Sequence, residues 1–125
     1  MSDEPVSKVQ RERRPAPAEC FDGHVEMEAI HEGKETTVRQ GRVHFHDGAR
    51  THPHLHVGAQ LLYFVEGRGI AQTIGGELLE CDPGDIVHVP AGTRHIHGAA
   101  EGHDAVHIAI TTGETIWSHD PRYPG

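Results

Sequence analysis

A chain of 125 residues has room for one hydrophobic core and not two. Its formal charge of −8, with Arg11, Arg13 and Arg14 as its one basic cluster, excludes a nucleic-acid partner, because phosphate binding relies on grouped Lys and Arg. No run is long and apolar enough to span a membrane as a helix, so no membrane partner is expected, and the opening Met1-Ser2-Asp3-Glu4-Pro5 lacks the pattern of an export signal, which makes the cytoplasm the expected location.

Residues 1–18 mix charge with Pro5, Pro15 and Pro17 and have almost no apolar periodicity, so they are read as a flexible N-terminal arm preceding a single domain over 19–125. Short alternating runs follow at Val25–Ile30, Thr36–His46, Gln60–Val65, Gly69–Ile74, Ile86–Val89 and Ala105–Thr111. Turn signals separate them, among them Gly33, Asp47-Gly48, Gly75-Gly76, Asp82-Pro83-Gly84 and Pro90-Ala91-Gly92. This pattern predicts an all-β sandwich or jelly-roll barrel, with any helix short, at Thr115–His119. Cys20 and Cys81 stand apart from any CxxC spacing and read as free thiols.

The outstanding feature is 13 histidines. His54 and His56 sit at i and i+2 on a strand and point the same way, so both can reach one ion. Gln60 shares their parity across the bend Val57-Gly58-Ala59, and its amide oxygen can add a ligand. His97 follows His95 by two residues and shares its face, where it acts either as a general base or as hydrogen-bonding support. His107 lies on a small-residue face with Ala105, Ala109 and Thr111, opposite Val106, Ile108 and Ile110. If Val43 and Phe45 face inward, His44 and His46 face out and read as surface residues. His24, His31, His103 and His119 fall at strand ends or turns and are expected to be exposed, while the parities of His52 and His88 decide nothing.

Gly48, five residues, His54-x-His56, three residues, Gln60, six residues and Gly67 resemble the first motif of the cupins, with Gln in place of the usual Glu. Gly84, five residues, Pro90-x-Gly92, two residues and His95 resemble the second, without its usual asparagine. The resemblance implies a cupin double-stranded β-helix and supplies His95 as the fourth ligand. Phe21-x-Gly23-x-Val25, Gly48-Ala49-Arg50-Thr51, Arg94-His95-Ile96-His97-Gly98-Ala99-Ala100 and His107-Ile108-Ala109-Ile110 narrow it to the small bacterial group that includes manganese-dependent hydroxynitrile lyases, over about Phe21 to Trp117. That group usually has Trp just before the first histidine and Pro just after the second, where this chain has Pro53 and Val57.

The resemblance implies one divalent metal on His54, His56, Gln60 and His95, manganese first, with iron, zinc, nickel and cobalt also compatible with nitrogen and oxygen donors. It makes His97 and His107 the polar groups facing a small-molecule substrate, and Val43 and Thr111 part of the pocket wall. Four neutral ligands leave the ion its full charge, which suits Lewis-acid chemistry such as cyanohydrin cleavage and synthesis. An iron-dependent dioxygenase, a metal-dependent isomerase or cyclase acting on a small carbonyl or enol compound, and a non-catalytic ligand-binding cupin are the other readings of the same scaffold. A homodimer or higher homo-oligomer is expected through Val25–Ile30 and Thr36–Val43.

Overall fold

The computed structural model describes residues 6–31 and 38–125. Its strands in chain order are β1 (Arg13–Pro15), β2 (Phe21–Asp22), β3 (Val25–His31), β4 (Val38–Phe45), β5 (Arg50–Thr51), β6 (His54–His56) and β7 (Gln60–Gly67). They continue with β8 (Gly69–Thr73), β9 (Leu78–Cys81), β10 (Ile86–Val89), β11 (His95–Ala99), β12 (Ala105–Thr112) and β13 (Thr115–Trp117). One antiparallel sheet runs β1-β3-β4-β12-β7-β10 and the other β13-β6-β11-β5-β2, with β8 joined to β11 and β9 to β8. This is the expected jelly-roll barrel: residues alternate between a filled interior and an outer face, as period-2 patterning requires.

The apolar core lies in two clusters. Cys20, Phe21, Val25, Val43, Phe45, Ala49, Ala99 and Ala105 join the two sheets at one end. Leu62, Phe64, Ala71, Cys81 and Val89 fill the other. Phe45, Phe64 and Leu62 are among the largest fully buried side chains, and each contributes roughly 1.5–3 kcal/mol of burial. Between the clusters the interior turns polar. Gly98 lets β11 lie close against β5, because a Cβ there would meet Ala49 O and lie 2.6 Å from Arg50 Cα. Both cysteines are free and buried, and burial pushes the Cys81 thiol up to about 11.

Three expectations change. Thr115–His119 holds no helix: Thr115–Trp117 is a strand paired with β6, as β-branched and aromatic residues favour, and among the described residues helix is confined to a 3-10 turn at Ala18–Cys20. Of the expected arm, residues 1–5 lie outside the described residues, whereas Arg13–Pro15 pairs with Glu26–Glu28 at the sheet edge. His44 does face outward, but it is buried rather than at the surface, because Glu28 and Arg13 enclose it. Gly33 and the first two residues of the expected strand Thr36–His46 lie outside the described residues.

Candidate metal centre

Strand register assembles the polar interior. His54 on β6 lies opposite His95 on β11, and Gln60 on β7 lies opposite Thr111 on β12, so each pair shares the inner face. The chain turns from β6 to β7 through Gly58, where a Cβ would meet Thr112 Oγ1 and approach Thr112 O to 2.7 Å. Glycine there lets the bend lie against β12 and return Gln60 to the face that carries His54 and His56. His54, His56, Gln60, His95, His97 and His107 are all buried.

Three of these imidazoles are held in a common way. His54 Nδ1–H donates to His52 O at 2.9 Å and His95 Nδ1–H donates to Thr93 O at 2.8 Å, carbonyls that can only accept. His56 Nδ1 bonds Thr115 Oγ1 at 2.9 Å. Anchoring one ring nitrogen on an oxygen fixes the ring and leaves Nε2 as the ligating atom, the usual arrangement behind metal-bound histidine. His56 Nε2 is buried with no hydrogen-bond partner. His95 Nε2 meets Gln60 Oε1 at 3.2 Å, and Gln60 Nε2 donates to Thr111 Oγ1 at 2.9 Å, which turns the amide oxygen toward the imidazoles.

His97 differs. Its Nδ1 lies 2.9 Å from His107 Nε2, so one proton is shared between two rings, and its own Nε2 is buried without a partner. The ligating atoms of His54, His95 and His97 all lie within 4.8 Å of one another, so this three-histidine group could hold a metal ion. His56 stands at ring-centroid distances of 5.0 Å from His54 and 5.3 Å from His95. An orphaned buried nitrogen beside neutral imidazoles and an amide oxygen fits a divalent transition metal or zinc.

Burial keeps these rings neutral. His56 is lowered to about 3 by burial, then by the neighbouring His95 and Arg39. His107 falls to about 4 through burial. His54 and His97 are pushed well below the ordinary histidine range by burial and then by adjacent imidazoles, and His95 is lowered mainly by burial. Neutral imidazole is the ligating form.

A cavity of about 1100 Å³ opens onto the site and is lined by His54, His56, Gln60, His97 and His107. Val43 and Thr111, expected in the wall, line it too, while His95, whose Nε2 lies 3.2 Å from Gln60 Oε1, is not among the lining residues. Sequence reading missed two groups here. Thr115 and Trp117 lie opposite His56 and His54 in register, and the Trp117 ring lies 4.4 Å from that of His54. Their period-2 spacing was the available signal. Elsewhere, His88, His103 and His119 are exposed, and His52 Nε2 lies 2.9 Å from Asp22 Oδ1. His24, Glu26 and His46 form a second, outer group, in which Glu26 is shared with Arg13.

The Cupin domain family model matches residues 41–112. An (R)-mandelonitrile lyase of Granulicella tundricola is 38% identical over 95 residues, covering 75% of this chain and 72% of that protein. An acireductone dioxygenase of Prochlorococcus marinus is 47% identical over 45 residues, 34% of this chain and 24% of that protein. A solved cupin-like protein of Thermotoga maritima superposes with a TM-score of 0.79 at 30% identity, covering 92% of this chain and 88% of that one.

Proposed function

The chain belongs to the cupin domain family, and from that membership we propose that it is a metal-dependent enzyme that breaks or forms the carbon–carbon bond of a small cyanohydrin. The ligands are His54, His56, Gln60 and His95, with manganese the first choice, and His97 moves the proton. The observation that carries this assignment is the difference in Nδ1 partners. His54, His56 and His95 are each tied back to an oxygen, whereas His97 is tied to another imidazole and keeps a free Nε2 at the cavity.

When bound, a divalent cation supplies Lewis acidity toward a substrate oxygen or nitrile. His97 Nε2 takes the hydroxyl proton of the cyanohydrin. The carbon–carbon bond to the nitrile breaks, its electron pair leaves as cyanide, and the oxygen left behind becomes the carbonyl of an aldehyde. His97 then returns the proton to cyanide, so the products are aldehyde and hydrogen cyanide. His107 holds the His97 ring through the shared proton, and the surrounding burial excludes water that would compete for it.

Mandelonitrile cleavage, followed by the ultraviolet absorbance of benzaldehyde, tests this. The metal-loaded wild type should turn over, and His97→Ala should keep its metal while losing turnover by about 100-fold or more. Absence of cleavage by metal-loaded wild type would sink the lyase reading. The likeness to an acireductone dioxygenase supports a second reading, oxygen-dependent cleavage of a small enol with iron at the same residues. Iron in the purified protein together with oxygen uptake on an enolisable diketone would favour it.

A further inference from the structure

The charge balance of the cavity wall points beyond a neutral substrate. The acidic residues along it are Glu12 and Glu28, and the Glu28 carboxylate is turned to the outer face, toward His44 and Arg11. Glu12 is paired with Arg14 at 2.9 Å, and Glu28 with Arg11 at 2.6 Å. Arg39 also lines the cavity, and no carboxylate among the described residues pairs with it. Its Nη1 donates to Gly113 O at 2.7 Å and its Nη2 to Thr115 Oγ1 at 3.2 Å. These two bonds fix the guanidinium and leave part of its five-donor fork unspent. Since the proposed ligands are neutral, the unbalanced charge of the cavity among the described residues is positive, in a chain whose formal charge is −8.

Register places that cation in line with the site. Arg39 on β4 is opposite Thr111 on β12, which is opposite Gln60 on β7, so the three form one row across the inner face. Val43, four residues along β4 and about 13 Å away, is opposite His107. Gly41 and Ala109, the pair between them, present almost no side chain. The floor between the cation and the His97–His107 pair is therefore low enough for a ligand to lie along it.

We propose that Arg39 anchors the carboxylate of the substrate, so that the physiological substrates are small organic acids reacting at a hydroxyl-bearing carbon beyond the anchor. This deepens the enzyme reading above and rests on it. A planar guanidinium held from two sides matches a carboxylate with paired donors, and a charged hydrogen bond in a confined cavity is stronger than a neutral one. A cation with no carboxylate partner among the described residues also draws anions into the cavity against the repulsion of an acidic surface.

The test uses two probes of nearly equal shape, mandelate and its neutral amide mandelamide, titrated calorimetrically into the full chain in metal-loaded form and after chelation. Metal content is measured first, so that a protein that never takes up metal counts against the enzyme reading and not against Arg39. Wild type should prefer mandelate by about 10-fold or more in both forms. Arg39→Gln should lose that preference in the chelated form, where the metal contributes nothing. Arg39→Lys, which keeps the charge without the fork, should fall between them and guards against a folding defect in the Gln variant. Equal binding of the two probes by wild type, or an undiminished preference in chelated Arg39→Gln, would overturn the proposal.

Discussion

Buried histidine occurs twice in this barrel, with opposite bookkeeping of its nitrogens. On the outer face, His44 Nδ1 accepts from Arg13 at 2.8 Å and its Nε2 donates to Glu28 at 2.7 Å, while Arg11 holds both oxygens of the same carboxylate. Both ring nitrogens are spent. On the inner face, His56 and His97 each keep an Nε2 buried and unspent, beside a cavity. An unpartnered buried polar atom costs stability unless something binds it, so burial alone does not mark a site; an imidazole nitrogen left over beside a cavity does.

Substitutions sharpen that contrast. The largest effect is expected at His95, where His95→Ala should abolish metal binding and activity together, measured by metal analysis and turnover on the same sample. Thr115→Val removes the hydroxyl behind His56 and should weaken metal affinity by about 10- to 100-fold, read by competition with a chelator. Retention of wild-type affinity would show that His56 needs no such support. On the outer face, Glu28→Ala should cost about 1–3 kcal/mol in chemical denaturation, by leaving His44 buried without its partner, and should not change metal content. Loss of metal there would erase the distinction between the two clusters.

The smallest effect concerns acid. Glu28 is lowered to about 2, first by the Arg11 hydrogen bonds and then by His44, against the opposing cost of burial. Its folded-state pKa is depressed below the unfolded value near 4.5, so the stability it contributes is fully present above that value and is lost as pH falls toward 2. Wild type should therefore lose more stability than Glu28→Gln between pH 4.5 and pH 2, as followed by thermal unfolding. Parallel losses would show that the outer network does not sense acid in this range.

How much of this was legible follows from which forces a linear pattern encodes. Strand parity placed His54, His56 and Gln60 on one face and His97 beside His95, because alternation is a local property. The resemblance of two glycine-bounded motifs to those of the cupins supplied His95, which no parity argument could bring across the barrel. Thr115 and Trp117 were missed because three residues are too short a run for their period-2 spacing to be read as a strand, and their pairing with β6 makes their role plain. Arg11 and Arg13 were assigned to an arm because the composition argument weighs apolar burial, whereas this edge is held by charge on β3 and β4. Arg39 carried no signal in the sequence, since its significance lies in the carboxylate partner it lacks among the described residues.

Metal content of purified wild type, His56→Ala and His97→Ala, determined side by side by plasma mass spectrometry, tests the central claim most directly. A four-ligand centre on His54, His56, Gln60 and His95, with His97 reserved for the proton, predicts near-stoichiometric metal in wild type and His97→Ala and little in His56→Ala. Full occupancy in His56→Ala with loss in His97→Ala would contradict it, and would make His97, which lies within 4.8 Å of His54 and His95, the third imidazole ligand.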